Sequence, residues 1–225
     1  FENNYADYAG AAIYVCSIFN DSGKYPEEGE NLIIKNCNFT NNFAQVAAGA
    51  IGVYGNNTKV IGCNFVSNKV KPTSNHEAYG GAIQIGRDEY NLCSYVVNCS
   101  FINNGAIGRN LNNSHGGAGC VRAGIIYQNC KFINNSAGQG GALTYHASGS
   151  IEDCVFINNS AKLYGGALST GYIDGDMELI VVNCNFEQNN APYGGAVQLK
   201  GKNIEIHKSI FNKNIAAING GAINI

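Results

Sequence analysis

Apolar residues along this chain fall in short alternating runs, not in the three-to-four spacing of a helix face. A Cys stands two places before a Phe at Cys37/Phe39, Cys63/Phe65, Cys99/Phe101, Cys130/Phe132, Cys154/Phe156 and Cys184/Phe186, with Ser209 before Phe211. Successive strand side chains point to opposite faces, so each pair shares one face. Three places before the Cys or Ser lies Ile34, Val60, Val96, Tyr127, Ile151, Val181 or Ile206, inward around an intervening bend. The residue just before the Cys is usually Asn or Asp, whose short side chain tolerates the left-handed conformation and bonds nearby backbone. A third inward strand is marked by Ile83 and Ile85, Val197 and Leu199, and Ile223 and Ile225.

These runs belong to a repeat. A Phe-x-x-Asn motif occurs eight times, at Phe1/Asn4, Phe39/Asn42, Phe65/Asn68, Phe101/Asn104, Phe132/Asn135, Phe156/Asn159, Phe186/Asn189 and Phe211/Asn214. It alternates with Gly-Gly-Ala-aliphatic, clean at 80–83, 140–143, 165–168, 194–197 and 220–223 and varied at 10–13, 48–51 and 116–119. From Phe to the Ala of the second motif is 10 or 11 residues in six repeats and 17 in two, so one unit recurs with loop insertions. A unit of about 25 residues is one coil of a β-solenoid. The pattern predicts an all-β, right-handed parallel β-helix of about eight coils with three short strands each, the hand following from the rule for parallel crossovers. Residues 1–225 read as a single repeat segment of a longer protein.

Stacked coils bring each inward position against its own kind, which predicts columns of Phe, of Cys and of aliphatic residues, and an amide ladder through the motif Asn side chains. The glycine pair fits a bend where a Cβ would strike the next coil. Ala11 and Ala48 each replace one glycine, which favours close packing over a strict need for positive φ.

Composition supports the array. Charged residues are only 13% of the chain, Gly numbers 29 and Pro 3, a balance suited to stacked strands joined by tight turns. A net charge of −2 offers no basic footprint for a nucleic acid. Apolar runs such as 179–182 fall far short of the ~20 residues of a membrane span, and residue 1 opens no signal-peptide pattern. Any targeting or anchoring segment is expected outside these residues.

The alternation of Phe-x-x-Asn with Gly-Gly-Ala-Ile/Leu/Val resembles the polymorphic outer membrane protein repeats of bacteria. It is also similar to the adhesin-like surface proteins of methanogenic archaea, with their Asn-Cys-x-Phe-x-x-Asn-like repeats. The resemblance covers essentially the whole chain. It implies a β-helix stalk or passenger displayed outside the cell, with roles in adhesion or surface coating, and it brings no catalytic residues. Gly119, where an aliphatic is expected, and Ser209 depart from the pattern.

The nine cysteines would ordinarily signal disulfides in an extracellular protein. Six share one column, where parallel Cβ vectors ~4.8 Å apart suit free buried thiols better than a bridge. A metal ladder is disfavoured because no Cys-x-x-Cys or Cys-x-x-His spacing accompanies it. Cys120 is expected to point outward as a reactive thiol, and the scattered histidines read as solvated loop residues. Asp174-Gly-Asp176 reads as a polar turn, and Asn20 and Asn112 are the sequons placed in long loops as candidate glycan acceptors. No catalytic, metal or cofactor site is expected. The outward rows Gln84, Thr144, Ser169, Gln198, Asn224 and Lys35, Ile61, Val97, Gln128, Glu152, Val182, His207 contain no carboxylate pair for hydrolysis or lysis. Arg87, Arg109 and Arg122 are the arginines and sit in no evident constellation.

The reading is therefore a non-catalytic extracellular segment whose partner is a surface glycan or a protein on another cell. Loops 69–79 and 105–115 interrupt consecutive coils at the same place and carry the candidate partner-binding residues Lys71, His76, Glu77, Arg109 and His115. Two alternatives remain. A carbohydrate-active β-helix enzyme would use the same fold. A filament-forming structural protein would self-associate through solenoid ends left uncapped by the opening Phe-x-x-Asn and the closing Gly-Gly-Ala-Ile.

Overall fold

The computed structural model describes residues 1–15, 31–54, 57–73, 76–86, 94–171 and 177–225. The chain is a parallel β-helix whose strands stack into four sheets. One sheet carries the strands before the Cys, from Ile33–Lys35 to Asn203–His207, and the next the Phe strands, from Asn38–Thr40 to Ile210–Asn212. A third follows the motif Asn, from Tyr5–Ala6 to Ile215–Asn219, and the fourth follows the glycine turn, from Ile13–Val15 to Ile223–Asn224. Register is strict in the Phe sheet, where Phe101 pairs with Phe132 and Phe132 with Phe156, while the sheet after the motif Asn shifts register between Ala137 and Gln139.

A coil thus has four strands where the sequence pattern predicts three. The missed strand follows the motif Asn and places Ala44, Val70, Ala106, Ala137 and neighbouring Ala78 in a small cluster of their own. Its strands are as short as Phe43–Ala44 and Gly105–Ala106. Gly and Ala carry none of the β-branched signal that marks a strand in a sequence.

Three left-handed corners separate the sheets in each coil. They fall on the residue before the Cys, as at Asp153 (φ 53°), on the residue before the motif Asn, as at Asn158 (φ 53°), and on the first residue of the glycine pair, as at Gly165 (φ 60°). Ala48 adopts φ 53° in that third position, so positive φ is required there after all. Close packing governs the second glycine instead. A Cβ on Gly166 would stand 2.1 Å from the Gly195 carbonyl oxygen and 2.5 Å from the Asn190 nitrogen. The two glycines serve two different needs.

The core is a set of columns. All eight Phe rings of the motif stack with centroids 4.7–5.0 Å apart and planes within 6° of parallel. Beside them the motif Asn residues form a buried amide ladder. The Asn159 Oδ1 accepts from the Asn135 backbone and Nδ2, both at 3.0 Å, while its own Nδ2 donates to the Phe132 carbonyl at 2.9 Å. The same pattern runs through Asn42, Asn68, Asn104, Asn135, Asn189 and Asn214.

The Cys column works similarly. Its described members are free thiols, and Cys37 alone among them is less than fully buried. They are also more than small hydrophobes. The Cys130 backbone donates to the Cys154 sulfur at 3.4 Å, and the Cys154 thiol donates to the Glu152 carbonyl at 3.1 Å. Ser209 repeats the arrangement, accepting from the Cys184 backbone at 3.1 Å and donating to the His207 carbonyl at 2.9 Å. The departure at Ser209 therefore preserves the bond pattern. Burial pushes the Cys130 and Cys154 thiols up from their ordinary range, so both stay protonated. Cys154→Ser is expected to change stability by less than about 1 kcal/mol, whereas Cys154→Ala, which removes only the sulfur, should cost about 1–3 kcal/mol, mainly by orphaning the Cys130 amide. Urea midpoints of the two variants check the ordering, and equal loss in both would refute the hydrogen-bonding role.

Gly119 is compensated rather than weak. A Cβ there would meet the Tyr127 hydroxyl at 2.6 Å, and Tyr127 is the aromatic that replaces an aliphatic in the same coil. Gly149 likewise makes room for Tyr145, whose ring edge would lie 2.8 Å from its Cβ. Each pair conserves volume across the core.

Candidate partner-binding surface

Loops 69–79 and 105–115 leave and rejoin the same sheet on neighbouring rungs. Lys69 and Val70 pair with Gly105 and Ala106 at one end, and Ala78 and Tyr79 pair with Ser114 and His115 at the other. The loops therefore stand side by side. Thr73 ties the first to the coil beneath through a 2.6 Å bond to the Gln45 amide oxygen. In the second, a one-turn helix over Leu111–Asn113 is capped by the Asn110 side chain.

The candidate residues divide between two cavities. Lys71 and Arg109 line one of about 500 Å3, whose apolar wall is Phe43, Pro72 and Ile107. Glu77 and His115 line a second of about 460 Å3 with Tyr79, Asn112, Asn113, Gln139, His146 and Tyr164. His76 is exposed and lines neither. Asn112 is exposed on the second loop, while Asn20 lies outside the described residues, as do Arg87 and Asp174–Asp176.

His115 is not the solvated loop residue that the sequence suggests. It is only 7% exposed, stacked on Tyr79 at 5.3 Å and 15° and met edge-on by His146 at 5.1 Å. Burial, reinforced by His146 and Arg122, pushes its imidazole down to about 3, so it is neutral near pH 7. Its Nδ1 has no hydrogen-bond partner.

Cys120 is also buried, at 1% exposure, so the expectation of an outward reactive thiol is corrected. It belongs to the outward row of the sheet after the glycine turn, paired with Gln84 and Thr144. That row is covered because the turn folds the end of the preceding strand alongside it, as the 2.9 Å bond from the Thr144 hydroxyl to the Gln139 carbonyl shows. Gln84, Thr144 and Ser169 are buried in the same seam. Period-two alternation gives the direction of a side chain but not whether another strand folds over it.

Among the described residues no group of three or more His, Cys, Asp or Glu side chains is placed to hold a metal, and no helix is long and apolar enough to cross a membrane.

Four stacked parallel sheets with Phe, Asn and Cys columns define a β-solenoid repeat protein. Residues 153–171, which hold one Phe-x-x-Asn and one Gly-Gly-Ala-Leu motif, match the family model described as the Chlamydia polymorphic membrane protein repeat. Over that one coil the chain is similar to the repeats of a family associated with the outer membrane and cell surface. No curated protein and no solved structure gives a significant match.

Proposed function

We propose that this segment is a non-catalytic, extracellular adhesin-like β-helix that presents its paired loops to a glycan or protein on another cell. The observation that carries the reading is the placement of both insertions on adjacent rungs of one sheet, where Lys71 and Arg109 share a cavity with an apolar wall. A rigid scaffold supporting variable loops is the usual arrangement for recognition. Cation heads beside apolar surface suit a ligand that carries both a negative group and an apolar face.

The double variant Lys71→Ala/Arg109→Ala tests it. Both side chains are exposed, so folding should be unaffected, while binding of the purified segment to target cells should fall about tenfold, a loss of ~1.4 kcal/mol. Undiminished cell binding would refute this role for the loops.

A further inference from the structure

A concave seam forms where the strand after each motif Asn meets the strand after the glycine turn. The cavity of about 460 Å3 opens on it, and a second of about 200 Å3 opens further along, with Gln139 and Tyr164 lining both. The two are one groove that runs across the strands from the coil of Tyr79 to that of Gln198. Four coil steps at the strand spacing make it roughly 19 Å long.

An aromatic column borders the groove, with pairing that aligns Tyr79, His115, Gln139, Tyr164 and Tyr193. Gln139 is the rung that lacks a ring, and its Nε2 donates to the Asn112 carbonyl at 2.8 Å. The His115 and Tyr164 rungs are therefore two steps apart, roughly 9.6 Å, and the larger cavity opens between them. His115 lines that cavity, more than nine-tenths buried, with its Nδ1 unpartnered. A buried polar nitrogen without a partner is costly unless something else bonds it.

We propose that this groove binds an extended neutral oligosaccharide, with one sugar ring seated at the Gln139 gap between His115 and Tyr164. Amides offer both donors and acceptors, as hydroxyl-rich rings require, and Gln139 and Gln198 supply them, while the aromatic rings supply apolar surface for sugar C–H faces. The charged lining residues, Glu77 and Lys200, sit on different stretches of the groove and provide no paired cations for a polyanion. A peptide is a poorer fit. Strand addition needs a free sheet edge, and this groove crosses strands already bonded to the coils above and below.

The inference rests on the loop reading in one respect, since Asn112, Asn113 and His115 belong to the second loop. Its test is separate. Calorimetry of the segment with malto-, cello-, manno- and galacto-oligosaccharides should find binding in at least one series. Gln139→Phe completes the aromatic column and should weaken that binding at least about tenfold without lowering the unfolding midpoint. Tyr164→Ala, which removes one wall from a partly exposed position, should weaken it similarly and serves if Gln139→Phe disturbs folding. Lys71→Ala/Arg109→Ala should bind the sugars like the parent. No binding in any neutral series, or unchanged affinity in both groove variants, overturns the proposal. Loss of cell adhesion in the Lys71/Arg109 variant with no neutral sugar bound would reject the groove and keep the loop reading. Sugar binding with adhesion unaffected in that variant would do the reverse.

Discussion

Replacing Phe156 with Ala should destabilise the protein by about 3–5 kcal/mol, the range for removing a buried ring. Phe156 is fully buried, with Phe132 and Phe186 each 4.7 Å away and nearly parallel. The surroundings cannot close over the hole. Coil spacing is fixed by flanking hydrogen bonds, Val155 to Cys130 at 3.0 Å and Asn185 to Cys154 at 2.9 Å, so the neighbouring rings are held apart. Each coil touches chiefly its two neighbours, which predicts that the damage stays local. Hydrogen exchange should accelerate in the strands Lys131–Ile133, Val155–Ile157 and Asn185–Glu187 and stay unchanged in Asn38–Thr40. A loss below 1 kcal/mol, or uniform acceleration along the chain, would show that the column is not the local source of stability.

The solenoid was legible in the sequence because every coil writes the same Phe, Cys and Asn positions, and repetition averages away the ambiguity of a three-residue strand. What escaped was whatever the repeat does not spell out in large side chains. In most coils the strand after the motif Asn is built on alanines such as Ala44, Ala106 and Ala137, too small to announce a strand. The glycine pair looked like one signal and is two, with the left-handed corner on the first residue and the close approach on the second. The compensation of Gly119 by Tyr127 was readable in principle, since both departures fall in one coil, but only once their columns are known to face each other.

The candidate surface was less legible for a different reason. Alternation along a strand assigned Cys120, Gln84 and Thr144 to the outside, and they do leave the main core. Their burial depends on the angle at the glycine turn, a property of the corner and not of the strand. The same angle makes the seam concave and buries His115 beneath Tyr79 and His146. Loop placement was easier, because two equal insertions in consecutive coils must emerge side by side when the coils are in register.

Asn159→Leu should cost about 2–6 kcal/mol, from two buried backbone groups losing their partners at about 1–3 kcal/mol each. Leu keeps the number and branching of side-chain heavy atoms, so no cavity opens and the lost hydrogen bonds dominate the cost. The Asn135 amide loses the acceptor that now lies at 3.0 Å, and the Phe132 carbonyl loses its donor at 2.9 Å. Neither group has access to water, because Asn135 and Phe132 are fully buried. The neighbour Asn158 provides the control. It is exposed, adopts φ 53° and bonds across the surface to the Asn134 side chain. Asn158→Gly keeps the left-handed corner accessible and should cost well under about 1 kcal/mol. Urea unfolding of the pair, read at the midpoint with unchanged slope, separates the two roles. Equal destabilisation would assign the Asn-Asn pair to corner geometry alone. A large loss confined to Asn159→Leu would assign it to the interior amide ladder, the feature that lets a parallel coil turn its corner without leaving a buried backbone group unbonded.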